Sequence, residues 1–566
     1  MGLMRAFTDA LGFTAPQAMA YDGWSSSFEA GNYGTREMTD WHPSLLSADD
    51  EVLDTRDLLV ARARDLYRNH PVIHGAVNKI ADAVIGSRVM LDAKPMHQLL
   101  GRDIEWSLDW SLSTEAEFKV FAYSGTSCDV RGEATFGQLM RTTLITRIVD
   151  GECFLLLRNK ARRARYTTCI EIIDSDRVTN PNGVPDGHLL ANGNTIYGGI
   201  EYDRDGAPVA YHIRVKHPAQ LNTQGDNFRW TRVARFTATG KQQIVHTYRQ
   251  HRANQKRGVS ALAPIVKRTR MNDKYDVAEL EAALFDAINA GYVRSSYPTS
   301  DVAAAMAPTG GGASSGWSLE KQVAFRTKNK VSLEGTRMTH LFPGEEMQFK
   351  QPARPAGNYP PFKASGQQDM AAGIGLSYPQ ISEDWAGINY SSARTLLNEK
   401  WRGFESMGEE FTAQTCHPVY LAWLEEAVAI GTVKVPGGAG RFYDRRELIG
   451  YASWLRPGRG KVDPLKEENA SDIAVHSGRS NNAIECANNG LDLFEVLQGR
   501  AREDRIRERL GLAAFVPLKL AGAAGSEAGG ESAGTEADRD GDGEEREDEQ
   551  QEERQSRRRQ TEGAGQ

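Results

Sequence analysis

Gly375 to Phe411 reads GLSYPQISEDWAGINYSSARTLLNEKWRGFESMGEEF. Pro379, Gly387 and Asn389 mark Tyr378–Asn389 as a loop, and Tyr390-Ser391-Ser392 as a helix start. Ser391 or Ser392 reads as the N-cap, because a hydroxyl can accept from the free N–H groups of the first turn. From there Leu397, Trp401, Phe404 and Phe411 recur at spacings of four, three and seven, which predicts one apolar helical stripe. Glu399, Arg402, Glu405 and Glu409 lie mostly off it.

Upstream, a helix is expected from about Phe362 to Leu376. Another follows Gly258, where Ser260 can cap it and Ala278, Leu280, Ala283, Leu284 and Ile288 carry it to Gly291. Its segment Asp273–Asp286 holds Asp273, Asp276, Glu279, Glu281 and Asp286 against Lys274, a balance of −4. A solvated helix face explains that balance as well as a special surface does. Between these helices, residues 299–316 are loose in composition, and 317–355 mix Lys321, Arg326, Lys328 and Lys330 with a Pro343-Gly344 turn.

Residues 48–86 read as helical with a break at Asn69-His70-Pro71, since proline cannot continue the hydrogen-bond ladder. Cys153–Leu157 and Ile170–Ile173 have buried-strand length. Ile200–Tyr202 and Val209–Val215 flank Asp205-Gly206, a hairpin signal in which both turn positions favour φ > 0. Residues 463–512 are helical and heavily charged. Beyond Ala521 the Gly/Ala/Glu/Arg mixture predicts disorder, and residues 1 to about 45 read as an extended arm that orders against a partner. The fold class is α+β.

At 566 residues the chain is long enough for three or four domains, and 40% hydrophobic with 25% charged residues is a globular composition. The N-terminus lacks a sustained apolar signal region, and no uncharged run approaches the ~20 residues of a membrane span. A cytoplasm-like compartment follows. Five scattered cysteines without a CxxC pair predict free thiols. The net charge of −7 is concentrated at the end, where Glu527–Glu562 carries fourteen acidic and six basic residues. The remainder is close to neutral, which is not the balance of a basic nucleic-acid binder.

Enzyme signatures fail. Gly458-Arg-Gly-Lys461 has Leu455 where a phosphate loop needs glycine, and Val462 where Ser or Thr would hold Mg²⁺. His70 and His74 have chelating spacing, but Pro71 intervenes and no carboxylate is adjacent. No serine sits in GxSxG. Asp538, Asp540, Asp542, Gly543 and Glu549 fit a calcium-loop template, yet Glu545 holds its apolar position and no amphipathic helices flank it. Neither a cofactor nor a metal is expected.

Five segments in order resemble the portal proteins of tailed bacteriophages, the lambda-like branch. They are His246-Thr-Tyr-Arg249 with Arg252, Gln255, Arg257, Gly258, Ser260 and Leu262; His340–Glu345 with Met347-Gln-Phe349; Ala371–Ser377; Asn389–Arg394; and Asp463–Glu467. The resemblance spans residues 60–510. It implies a portal fold with wing, stem, clip and crown regions, its subunits ringed around a central channel. The expected boundaries are an N-terminal arm at 1–47, wing 48–257, stem helix 258–298, clip 299–358 and second stem helix 359–377. A tunnel loop at 378–390, a long helix and wing return at 391–462, a crown at 463–521 and an acidic tail at 522–566 complete the chain.

The same resemblance implies a DNA-facing tunnel loop (Ser382, Glu383, Asp384, Trp385, Gly387, Asn389) and channel-lining stem residues (Asp273, Asp276, Glu279, Lys363). Lys321, Arg326, Lys328 and Lys330 would serve partner docking at the clip. A conduit should carry few basic contacts, since neutralising many phosphates would bind the duplex and halt it. The implied partners are a dodecameric ring of the same chain, double-stranded DNA, terminase, a head–tail adaptor, and capsid and scaffold proteins, with no membrane. The protein would sit in the virion, after assembly in the host cytoplasm. The competing readings are another head–tail connector or virion structural protein, and a DNA-processing packaging enzyme.

Overall fold

The computed structural model describes residues 40–220, 226–288, 291–295, 324, 327–328, 345–349, 359–460 and 464–512. Most of the segments expected to form the N-terminal arm and the clip, and the acidic tail, lie outside them. The chain divides into a unit ending at Val496 and a second beginning at Leu497.

The first unit opens with three helices. Ser47 caps α1 (Ala48–Leu53), whose first turn carries Asp49, Asp50 and Glu51. Helix α2 (Arg56–Asn69) stops at the expected break. His70 turns extended, its ring Nδ1 accepts from the Ile73 N–H at 3.2 Å, and Pro71 opens α3 (Pro71–Val84) where no N–H is needed. After β1 (Met90–Ala93) come α4 (Ile104–Tyr123), α5 (Gly125–Cys128) and α6 (Phe136–Asp150), the last started by a Thr135/Gln138 capping box.

The β region follows: β2 (Glu152–Asn159), β3 (Thr168–Ile173), β4 (His188–Leu189), β5 (Thr195–Tyr197), β6 (Ile200–Tyr202), β7 (Pro208–Arg214), β8 (Trp230–Ala234) and β9 (Ile244–Tyr248). Strands β4 to β8 form an antiparallel meander, and β2 lies between β3 and β9 in a second antiparallel sheet. The β6–β7 hairpin forms around Asp205-Gly206, but only Gly206 has positive φ (81°). The Asp203 carboxylate accepts from the Asp205 and Ala207 N–H groups and holds the turn, so Asp205 needs no left-handed backbone.

Helix α7 (Ala263–Ile288) leads to β10 (Gly291–Ser295), which pairs antiparallel with β11 (Glu345–Phe349). Then come α8 (Tyr359–Ile374), α9 (Tyr378–Ser382) and α10 (Tyr390–Phe411). Residues Thr412–Cys416 make a π-helical turn that runs straight into α11 (His417–Ile430). His417 N–H donates back to Thr412 O, a wide turn just where Pro418 supplies no donor. After α12 (Arg446–Ile449), β12 (Ala452–Leu455) pairs with β1. Helices α13 (Pro464–His476), α14 (Asn482–Asn488) and α15 (Leu493–Arg509) finish the described chain.

Two apolar clusters hold the first unit. In the larger, Phe118, Phe121, Phe136, Tyr166, Tyr420 and Trp423 are buried between α4, α6, α11 and β3. Phe118 meets Trp423 edge-on at 5.1 Å between ring centroids, an orientation that suits the ring quadrupoles. The smaller cluster, with Phe154, Ile200, Tyr202, Tyr211 and Ile213, joins the two sheets. All five cysteines are free and four are buried. In the second unit, Arg507 pairs with Glu503 one turn earlier at 3.0 Å.

Candidate channel elements

The segment Ile244–Leu262 is built around one buried carboxylate. Glu152, at the start of β2, has no exposed surface. Arg257 Nε lies 2.9 and 3.0 Å from its two oxygens, and Arg56 Nη2 lies 2.9 Å from Oε1. His246 Nε2 and the Gly258 N–H each lie 2.9 Å from Oε2. Burial pushes this carboxyl up, and Arg257, Arg56 and His246 more than reverse it, holding it well below the usual carboxylate range. Gln255 accepts from His251 N–H and donates to Arg257 O, while Tyr248 Oη donates to Gln255 O. The portal-like pattern of His246, Gln255, Arg257 and Gly258 is thus an architectural hub around Glu152.

The loop expected at 378–390 is half helix. Ser377 and Gln380 form a capping box for α9, which packs on α3 and ends at Glu383 in a left-handed conformation (φ 60°). Glu383 pairs with Lys79 of α3 at 2.8 Å, and Lys79 also donates to Gln380 O at 2.7 Å. Lys79 went unnoticed in the sequence because it lies 304 residues away. Past Glu383 the loop is exposed and held by its own side chains. Ser382 Oγ accepts from Asp384 N–H, and Asp384 Oδ1 from Ala386 N–H. Asn389 Oδ1 accepts from Ser392 N–H at 2.8 Å, so Asn389 caps α10, not Ser391 or Ser392. An amide oxygen on the residue just before the helix reaches the free N–H of the first turn, which a serine inside the helix does not. Gly387 has φ 77°, and Trp385 keeps 44% of its surface exposed.

The stem candidates do not share one open face. Helix α8 lies antiparallel along α7: Gly373 packs on Ile265, Gly366 on Asn272, and Lys363 pairs with Asp276 at 3.1 Å. Tyr359 Oη also donates to Asp276 at 3.0 Å. Asp273 faces His70 Nε2 at 3.1 Å. Glu279 continues the Asn272–Asp276 stripe and is buried, so it lines no surface of this chain. Asp276 therefore lies at the seam between two helices, and Glu281 is exposed on the opposite side of α7. Apolar residues are exposed on α7 as well: Met271 and Tyr275 on one flank of that seam, Val277, Leu280 and Leu284 on the other.

Of the clip candidates Lys328 is exposed, and Lys321, Arg326 and Lys330 lie outside the described residues. The two spaced histidines do not converge, since His70 serves as a cap and His74 stacks on Tyr67 at 4.9 Å. Gly458, in the weak phosphate-loop match, packs against the backbone of Asn488 and Asn489, and Arg459 pairs with Glu467 at 3.5 Å. Among the described residues, no cluster of three or more potential metal ligands occurs, and no helix is long and apolar enough to cross a membrane.

Known proteins resemble this chain along most of its length. It is 26% identical to portal protein B of Escherichia phage lambda over 88% of this chain and 94% of the relative. It is 27% identical to the portal protein of Escherichia phage N15 over the same shares. A probable portal protein of Halomonas phage phiHAP-1 is 25% identical over 70% of this chain and 71% of its own. Among solved structures, the neck of an empty GTA particle computed with C6 symmetry overlaps 80% of this chain and 94% of its own, at 13% identity and a TM-score of 0.39. An HK97-family portal protein from Corynebacterium diphtheriae overlaps 65% and 90%, at 12% identity and a TM-score of 0.26. The family described as phage portal protein, lambda family, matches residues 34–407, about two thirds of the sequence, and the chain belongs to that family.

Proposed function

We propose that copies of this chain close head-to-tail into a dodecameric ring at one capsid vertex, through which duplex DNA enters during packaging and leaves at infection. As a phage portal protein it is a structural component of the virion and not an enzyme. The observation that carries the ring is the pair of exposed apolar flanks on α7. A closed ring needs two different patches that meet around the axis, and Met271/Tyr275 on one flank face away from Val277/Leu280/Leu284 on the other. Exposed apolar surface of this kind marks an interaction site.

The tunnel loop would be the DNA-touching element. It holds no Lys or Arg between Tyr378 and Asn389, and its Glu383 is already paired with Lys79. Trp385 and the backbone around Gly387 can therefore brush a duplex without the counterion release that would anchor it. Asp276 and Lys363 neutralise one another on the two stem helices, which suits a bore that does not grip. Lys328 and its neighbours in 299–358 would meet terminase and the head–tail adaptor, and capsid and scaffold proteins would surround the ring during assembly in the host cytoplasm.

Negative-stain imaging with native mass of the full-length protein tests this. Rings with an axial hole and a mass near twelve copies of 62.4 kDa are expected, with no ATP hydrolysis by the purified protein. A monomer or small oligomer that hydrolyses ATP or cuts DNA overturns it.

A further inference from the structure

Residues 41–47, which lead into α1, are all exposed, and two of them are large and apolar: Trp41 at 65% and Leu45 at 101% exposure. The chain's own body holds the end of this stretch and the start of α1. The Arg252 guanidinium donates to Leu46 O at 3.3 Å and pairs with Glu51 at 2.5 Å, while Lys256 N–H donates to Asp49 at 3.0 Å. The arm therefore departs beside the 252–256 turn.

An open cleft of about 780 Å3 lies at that same turn, between the β6–β7 hairpin, the loop after β9 and the π-helical turn. Pro208, Tyr248 and Pro418 give it apolar lining beside Gln250, and Arg204, Arg235 and Lys256, opposed by Asp205, give it an excess of basic groups. Its size falls in the range that buries a ligand of several side chains. An indole is the kind of amphipathic anchor that proline and tyrosine side chains accept. Residues 1–47 carry five acidic and two basic residues, all before Trp41, and their balance of −3 is opposite in sign to the net basic lining of the cleft. Trp41 and Leu45 are not seated in their own chain's cleft, since burial there would remove the exposure they retain.

We infer that Trp41–Leu45 of one protomer docks into this cleft on the adjacent copy of the chain, clasping neighbours in the ring outside the α7 contact. The inference rests on the ring reading above.

The test uses full-length Trp41→Cys/Gln250→Cys protein, assembled and then oxidised, with each single variant as the control for the half-exposed Cys486. A ladder of covalently linked oligomers on non-reducing gels, absent from both single variants, is the expected result. Rings of normal mass that give no ladder, or only an internally bridged monomer, overturn the clasp and leave the ring standing. A protein that forms no rings under any condition overturns both. Independently, Trp41→Ala/Leu45→Ser rings should dissociate into monomers at a lower urea concentration than the wild type. An unchanged dissociation midpoint also overturns the clasp.

Discussion

Arg257 and Glu152 form a pair with almost no access to solvent, Nε bridging both carboxylate oxygens at 2.9 and 3.0 Å while Arg56 approaches from another side. Arg257 also donates to Val178 O at 3.1 Å, so the pair ties the start of β2 to the turn before the meander. Removing the negative charge leaves two buried guanidinium groups facing each other. Glu152→Gln is expected to lose about 3–5 kcal/mol, the usual penalty for breaking a buried ion pair. Denaturant unfolding would read it as a lower midpoint. Arg257→Lys should recover little, because an ammonium cannot reproduce the fork.

Gly258 packs where no side chain fits. A Cβ there would lie 2.2 Å from Gly151 O and 2.6 Å from Gly151 C, both backbone atoms. Gly258→Ala should therefore cost about 1–3 kcal/mol or more. Gly75, in the middle of α3, has nothing within 4 Å of its virtual Cβ. Gly75→Ala should raise stability by about 1 kcal/mol through helix propensity alone. Thermal melts of the two variants should move in opposite directions.

Glu115 is 5% exposed, and its carboxyl is pushed up to about 7. Burial is the main cause. The Ala93 N–H and Lys119 oppose it, and Asp492 and Asp92 add to it. The folded protein therefore holds this proton more tightly than the unfolded chain, whose value is 4.5. Stability from this group is complete below about 4.5 and falls as pH rises to about 7, by roughly 3 kcal/mol. Glu115→Gln keeps an oxygen for Ala93 and should stabilise the protein at pH 8 with little effect at pH 4. Equal changes at both pH values would remove the titration from the account.

Glu201 behaves in the opposite sense. Burial would raise its carboxyl, but hydrogen bonds from Arg232, His212 and Asn194 bring it down to about 2. Its contribution is present above 4.5 and is lost as pH falls toward 2. Arg232→Ala should shift the acid-unfolding midpoint to higher pH and leave neutral stability less affected.

Leu280 is 63% exposed and Leu284 62%. Leu280→Asp should leave the far-UV circular dichroism and melting of the isolated chain unchanged while abolishing rings by native mass. Trp385→Ala should allow rings but lower the DNA packaged per head. Rings that survive Leu280→Asp would place the subunit contact elsewhere.

Local chemistry decided several elements in advance. Pro71 can only begin a helix, so the break after Asn69 was legible, and Asp205-Gly206 marked its hairpin. The stripe Leu397, Trp401, Phe404 and Phe411 predicted one apolar helical face, of which Phe404 and Phe411 are buried and Leu397 and Trp401 half-buried. The family order of segments was legible too, because these patterns are contiguous.

Partners distant in sequence were not. Glu152 is an ordinary acid at the head of an apolar strand until Arg56, His246 and Arg257 are brought to it from 96, 94 and 105 residues away. The acidic residues of α7 read alike whether they meet water or a helix, and only the packing of α8, through Lys363 and Tyr359, assigns Asp276 to the seam. Glu383 likewise reads as a free loop charge until α3 places Lys79 beside it. Periodicity sets which residues share a face. What that face meets is settled by long-range packing, because burial and ion pairing depend on groups that sequence spacing does not bring together.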